Sequence, residues 1–294
     1  MVIRRLLRGR TGPTGGPAFT DLLGICTAWA DGAMTLAPAD QAPVEIALAD
    51  IVSGKPVPPR PSHLARVSAR DAELRGLGLV PEAETAALGE WVLRSTPAPT
   101  GRLLKRANSC LSLGSPGMPF EEALAAVEAF YAERDRAPMA QVELGSAVEA
   151  SYVAAGWRPL GRGDASFQAA PVSRLHRLLG QLTRTAPSPS PLRSTSTDGR
   201  ALVEATDRNG TRIATGAALL DDDWLCLHGL AVDPDHRRQG LATAVLAELV
   251  EWGAEQGART AWLHVETDNA PALALYERLG FSEHHAVRYV VPSP

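Results

Sequence analysis

Lysine is nearly missing from this chain. Lys55 and Lys105 are its only two, which leaves 27 of the 29 basic residues (29 − 2) to arginine, and against 33 acidic residues the formal net charge is −4. No global basic field exists to hold nucleic acid or an anionic membrane surface, so neither is an expected partner. Together with the alanine, glycine and proline load, the arginine bias speaks of a GC-rich genome rather than of a function. Cysteine is scarce too: Cys26, Cys110 and Cys226 are odd in number and far apart. That spacing argues against a disulfide framework and against a zinc site, and a reducing cytoplasm is the expected compartment. A long apolar run is also lacking, since nothing approaches the ~20 residues that a membrane helix requires. Arg4, Arg5 and Arg8 have no apolar leader segment behind them, so the chain reads as soluble and untargeted. What it does have is 294 residues, 45% of them hydrophobic, which is enough for two or three domains with real cores.

One stretch organises the rest. Residues 225–232 are a short apolar run that Asp233-Pro234 brings to an end, because proline cannot continue a ladder and restricts the residue before it. After Arg237-Arg238-Gln239-Gly240-Leu241-Ala242, apolar side chains recur at Leu241, Val245, Leu246, Leu249 and Val250, the spacing of one helical face. A strand, a tight loop and a helix N-terminus are predicted. Backbone N–H groups at such a terminus lack helical partners and the helix dipole is positive there, so an anion is favoured. Gly240 and the small Ala242 let backbone approach a ligand closely, while Arg237 and Arg238 add charge; a pyrophosphate suits the place.

These six residues resemble the Arg/Gln-x-x-Gly-x-Gly/Ala signature of the GNAT superfamily of N-acetyltransferases at every position. The surroundings follow the same family order: a strand ending in Leu230-Ala231-Val232 before it, an apolar strand over residues 261–266 after it, then Asn269 and the run 272–281. The resemblance implies a GNAT fold, an α+β protein with a mixed sheet. It also implies that Arg237, Arg238, Gln239, Gly240, Leu241, Ala242 and Thr243 hold the pyrophosphate of acetyl-CoA, and that backbone at Leu230, Ala231 and Val232 grips its acetyl and pantetheine parts. Asn269 matches a family position that touches the coenzyme, and it also reads as a helix cap. Tyr276 falls where the family often keeps a tyrosine beside the coenzyme sulfur, as the acid for the departing thiolate; the alternative is a core tyrosine.

Upstream, residues 1–60 look all-β, with strands over 2–7, 22–29, 33–36 and 44–51 and a turn at Ala30-Asp31-Gly32; they resemble an SH3-like barrel. The proline-rich segment from Lys55 to Pro61 reads as a stiff linker. Residues 62–170 are expected to carry a helix over 64–79, strands near 91–94, 103–113 and 141–144, and a helix beginning at Pro119. There, residues 149–157 echo 273–281, with Tyr, three residues, Gly and an aromatic in each. This internal repeat suggests a degenerate GNAT-like half without a phosphate loop, followed by a catalytic half over 171–294. A short helix over 172–182, a mobile connection over 183–197, a hairpin turning at Asn209-Gly210 and a turn at Asp221-Asp222-Asp223 complete the reading; no metal site is expected. As a whole, the layout resembles actinobacterial proteins that join an SH3-like domain to a GNAT domain, labelled N-acetylglutamate synthase-like.

Acetyl transfer to an amine needs a base. His228 shares strand parity with Leu230 and Val232, and its ordinary pKa of about 6.5 suits the task. The segment around it is similar to the histidine-bearing strand of arylalkylamine N-acetyltransferases, but departs from it at Cys226. Glu266 is the reserve base, and a packed structural histidine is the other reading of His228. The expected activity is acetyl-CoA-dependent transfer to the primary amine of a small molecule or amino acid. Its rivals are a protein or peptide acetyltransferase recruiting through the SH3-like domain and a non-catalytic acetyl-CoA sensor; a homodimer is a further possibility.

Overall fold

Short strands between Gly- and Pro-rich turns make the first part of the computed structural model, which describes residues 1–38, 42–56, 63–97, 104–186, 188 and 190–293. The chain divides at residue 62 into the units Met1–Ser62 and His63–Pro294. In the first unit, β1 (Val2–Thr11), β2 (Pro17–Leu23), β3 (Ile25–Ala30), β4 (Ala33–Ala37), β5 (Val44–Ala47) and β6 (Ile51–Lys55) form two antiparallel three-stranded sheets, β2-β1-β6 and β3-β4-β5. The all-β expectation holds, but no closed barrel forms among the described residues. Val44 to Ile51 is not one strand: a 3-10 turn, Leu48–Asp50, breaks it. The predicted Asp31-Gly32 turn is present, with both residues at positive φ. Ile3, Met34, Leu36 and Ile46 are the buried core. Gly24 lies between β2 and β3, where a Cβ would sit 2.7 Å from the Ala37 carbonyl oxygen, so no larger residue fits that bend. Most of the predicted linker falls at residues 57–62, outside the described residues.

The second unit runs through α1 (Ala69–Leu74), β7 (Glu84–Leu88), β8 (Trp91–Ser95), β9 (Cys110–Leu111), α2 (Phe120–Ala132), β10 (Ala140–Glu143), α3 (Ala147–Ala154), β11 (Trp157–Pro159) and β12 (Ala165–Pro171). It continues with α4 (Val172–Thr185), β13 (Leu192–Thr197), β14 (Arg200–Thr206), β15 (Arg212–Asp221), β16 (Trp224–Val232), α5 (Leu241–Glu255), β17 (Thr260–Glu266), α6 (Ala270–Leu279) and β18 (Ser282–Pro292). One sheet spans it in the order β13-β14-β15-β16-β17-β12-β18-β10-β9-β8-β7, with β11 also on β18. Helices start as the sequence dictates. Ser68 and Ser146 accept backbone N–H bonds at the heads of α1 and α3, and α2 buries Ala123, Val127, Phe130 and Tyr131 on one face.

The repeated motif folds alike in its two copies. Tyr152 in α3 and Tyr276 in α6 are both buried, and each helix is followed by a left-handed glycine, Gly156 at φ +85 and Gly280 at φ +88. The strands that follow trade places. β12, which precedes α4, lies between β17 and β18, while β18 continues past it to pair with β10 through Val287–Val290. The boundary read at 170/171 thus falls at the β12–α4 junction, inside one continuous sheet.

Several sequence expectations give way here. The helix expected over 64–79 is α1 flanked by the 3-10 turns His63–Arg66 and Leu77–Leu79. Of the strand expected over 103–113, β9 is present, and Lys105–Asn108 is another 3-10 turn. The connection expected over 183–197 is partly ordered: α4 reaches Thr185, and Leu192–Thr197 is an edge strand hydrogen-bonded to β14. β12 was not predicted because it is buried on both faces up to Ala170, which erases the alternation that marks a half-buried strand.

Phe167 sits at the centre of that exchanged strand. It is fully buried, stacked on Trp262 at 4.8 Å and on His285 at 4.9 Å. Phe167→Ala should destabilise the second unit by about 3–5 kcal/mol in urea denaturation. A loss below about 1 kcal/mol would mean that β12 is peripheral to the fold.

Candidate active site

β16 parts from β17 part-way along its length. Parallel pairing joins Trp224, Leu225 and Cys226 to Thr260, Ala261 and Trp262 and goes no further. On its other side β16 stays on β15 as far as Val232, through a bulge between Thr215 and Ala217. Gly229 takes φ +63 beside that bulge, a left-handed value that a side chain would resist. From His228 to Val232 the strand therefore has a ladder partner on one side only among the described residues.

The loop after β16 is folded by Asp233. Its carboxylate accepts from the Asp235 N–H (3.0 Å) and His236 Nδ1 (3.2 Å), contacts that hold its pKa below the usual value, the His236 bond foremost. Arg238 (φ +64) and Gly240 (φ +84) are both left-handed. No side chain caps the start of α5, and a Cβ on Gly240 would meet nothing within 4 Å, so the first-turn backbone faces open space. Arg237, Arg238 and Gln239 are exposed around it. A phosphate group fits this place: uncapped N–H groups, the positive helix end and two guanidinium groups all favour an anion.

Where the two strands part, a cavity of about 420 Å³ opens. β16 lines it with Cys226, Leu227, His228 and Gly229, and β17 with His264 and Glu266. The opposite wall comes from residues 76–94 and 104–107, with Leu77, Leu79 and Val80 as its apolar part and Arg94, Lys105 and Arg106 as its cations. His228 also lines a second cavity, of about 270 Å³, beside Arg200. Burial first, and then the charges of Arg200 and Arg106, push its pKa below the ordinary histidine value. The imidazole is thus neutral at pH 7, and neither ring nitrogen has a hydrogen-bond partner among the described residues. Cys226 is no rival nucleophile, because burial pushes its thiol up to about 12.

Beneath the cavity lies a carboxylate that no local pattern announced. Glu73 is completely buried and accepts from His264 Nε2 (2.6 Å), His285 Nε2 (3.2 Å) and Gln141 Nε2 (2.9 Å). Burial alone would favour the neutral acid. The electrostatic pull and hydrogen bond of His264, the bond from His285 and the charge of Arg106 nevertheless hold Glu73 well below the usual carboxylate range. His264 is lowered as well, to about 4, through burial and the Arg106 charge. At neutral pH the pair is carboxylate and neutral imidazole, with His264 Nε2–H donating.

Comparison with known proteins accords with this geometry. Residues 176–281 match the model of the acetyltransferase (GNAT) family. The chain is 43% identical over 76 residues to the [ribosomal protein bS18]-alanine N-acetyltransferase of Escherichia coli (strain K12), covering 26% of this chain and 51% of that relative. It therefore spans about half the length of the curated relatives it matches first. In fold it is similar to a GCN5-related N-acetyltransferase from Kribbella flavida (TM-score 0.54, 19% identity, 80% of this chain and 97% of that one). It is likewise similar to a tandem GNAT protein from the clavulanic acid biosynthesis pathway (TM-score 0.54, 17% identity, 81% and 91%). Residues 176–281 are thus similar in sequence to the GNAT acetyltransferases, and the fold is theirs.

Within the matched segment the residues singled out from the sequence fall into three groups. His228 and Glu266 share the cavity. Leu230, Ala231 and Val232 lie on the parted strand, and Arg237, Arg238, Gln239, Gly240, Leu241, Ala242 and Thr243 form the loop and the head of α5. Asn269 and Tyr276 sit on α6, outside the cavity lining. Asn269 caps α6 by accepting from the Ala272 N–H at 3.3 Å. Burial raises the pKa of Tyr276, so its phenol stays protonated, and its hydroxyl has no partner among the described residues. The sequence missed Arg106, Glu73 and His264. The first two come from a 3-10 turn and the six-residue helix α1, more than a hundred residues before the loop, and the rarity of lysine at Lys105 was the nearest signal.

Acid should weaken this network in a definite window. Because His264 titrates at about 4 in the fold and at about 6.5 when unfolded, the unfolded chain takes up a proton that the fold refuses. Its contribution is complete above pH ~6.5 and is lost as pH falls towards ~4, by of the order of 3 kcal/mol. Glu73, with its depressed pKa, adds a further loss below pH ~4.5. Denaturation curves at stepped pH should show the slope between 6.5 and 4, and His264→Gln should flatten it. An unchanged slope in that variant would place the titrating group elsewhere.

Proposed function

We propose that this chain is an acetyl-CoA-dependent N-acetyltransferase that passes the acetyl group directly to the primary amine of a small molecule or amino acid. The observation that carries this reading is the neutral, unpartnered imidazole of His228 in a cavity that opens where β16 leaves β17. The uncapped α5 terminus beyond the same strand supports it. When bound, acetyl-CoA supplies an activated acyl carbon and a thiol leaving group. The residues of the chain do the rest. The N–H groups of residues 240–243, with Arg237 and Arg238, bind the pyrophosphate, and the one-sided backbone of Leu230, Ala231 and Val232 orients the pantetheine. His228 takes a proton from the acceptor ammonium, with Glu266 as the second carrier in the cavity, and Tyr276 holds a proton for the departing sulfur. Asn269 orients the head of α6.

The same reading covers the architecture. Residues 62–170 are a GNAT-like half without a phosphate loop, residues 171–294 the catalytic half, and the fold-level likeness to a tandem GNAT protein supports that division. For residues 1–60, two three-stranded sheets that share a chain bent at Gly24, with a 3-10 turn before the last strand, support an SH3-like unit. A second reading, acetylation of a protein N-terminus, is favoured by the identity with the bS18-alanine N-acetyltransferase. Thiol release with a panel of amines, amino acids and peptides separates the two, and tight coenzyme binding without turnover of any of them would mean a sensor.

Gly240→Asp places a carboxylate in the phosphate cradle and a side chain at φ +84. It should weaken acetyl-CoA binding by about a hundredfold or more, ~3 kcal/mol, in calorimetric titration; an unchanged dissociation constant would remove the loop from the site. His228→Ala should lower the rate at neutral pH by roughly a hundredfold. In the parent enzyme the rate should fall in acid, as the imidazole becomes protonated, with the limb on the acid side of the ordinary histidine range because the pKa is lowered. That limb should vanish in the variant, and high pH should restore much of its rate. If both rate and limb survive, His228 is not the base.

A further inference from the structure

Three cationic side chains line the cavity, and two of them are engaged. Arg94 donates to the Ser109 carbonyl (2.9 Å), Ser109 Oγ (3.0 Å) and Gln141 Oε1 (2.8 Å). Lys105 donates to the Arg162 carbonyl at 3.4 Å and lies 5.1 Å over the Tyr289 ring. Arg106 differs: it has no hydrogen bond or ion pair with any described residue, and its Nε is buried without an acceptor. Its stem is fixed beside Gly76, where a Cβ would lie 3.8 Å from Arg106 Cδ and 3.4 Å from Trp262 Cη2. A buried guanidinium N–H without an acceptor is destabilising in the free protein, and a carboxylate supplies the matching two-oxygen fork. The cavity also holds the opposite sign, at Glu266 on the β17 wall. Its volume, about 420 Å³, lies in the lower part of the small-ligand range of roughly 300–1,000 Å³.

We propose that Arg106 is the carboxylate-binding residue of the acceptor pocket, so that the amine taken by this site belongs to a free amino carboxylate, with its nitrogen towards His228 and its carboxylate on Arg106. This rests on the acetyltransferase reading for the fate of the amine, though not for the binding of the carboxylate. Specificity is then set by the half of the unit that lacks a phosphate loop. An α-carboxamide of the same molecule keeps the amine and loses the anion, leaving Arg106 unpaired.

The test is calorimetric titration of the full chain, saturated with CoA, by the proteinogenic amino acids and by their α-carboxamides. At least one amino acid should bind about tenfold or more tightly than its own carboxamide. Arg106→Gln should erase that preference while leaving the affinity for CoA unchanged. Arg106→Lys, which keeps the charge without the fork, should retain part of it, and it serves as the variant if the glutamine protein melts early. Absence of any preference in the parent chain, or its survival in Arg106→Gln, overturns the proposal. Thiol release with the amino acids that bind is the independent arm: binding through Arg106 without acetylation would uphold the carboxylate site and sink acetyl transfer instead.

Discussion

The placement of β12 between β17 and β18 is the constraint on which the second unit depends. A strand from the first half hydrogen-bonds on both edges to strands of the second, and β18 in turn completes the ladder of β10. Such an arrangement leaves neither half with a sheet of its own. It also holds residues 76–94 and 104–107 opposite the gap where β16 leaves β17.

Charge inside this interface is arranged with little slack. Glu73 is fully buried, yet it is supplied with three donors, and Arg94 is likewise buried and hydrogen-bonded to Ser109 and Gln141. In a low-dielectric interior, groups bound in this way rigidify their surroundings, and one left unmatched stands out. Arg106 Nε is buried with no hydrogen-bond acceptor among the described residues. The electrostatics of the cavity thus divide into a hydrogen-bonded floor and a cationic wall, with a neutral histidine on the parted strand.

Periodicity and punctuation made the second half of the unit legible in advance. Asp233-Pro234 ended a strand, Gly240 opened a helix, Asn209-Gly210 turned a hairpin and Asn269 capped α6, each through local backbone chemistry that needs no distant partner. Strand parity put His228 on the face of Leu230 and Val232, and there it failed: the bulge at Gly229 shifts the register, so Leu230 and Val232 pack on the core cluster of α5 while His228 lines the cavity on the other face. Local signals failed where burial on two faces erased alternation, as in β12, and where short 3-10 turns replaced the helix and strand expected over 64–79 and 103–113. The SH3-like resemblance of residues 1–60 foresaw strands and turns, but not the interruption at Leu48–Asp50 that separates β5 from β6.

By itself, then, the sequence determined the strand-loop-helix that favours an anion, because every feature of it is set within about twenty residues by capping, glycine geometry and apolar spacing. Tertiary structure decided everything that depends on chain segments meeting across long separations. Glu73 reaches His264 across 191 residues. Arg106 enters the cavity of His228 from a 3-10 turn with no periodic signal of its own. A hydrogen bond or an unpaired charge of that kind exists only once the exchanged strands have fixed both segments in one sheet, and no spacing along the chain encodes it.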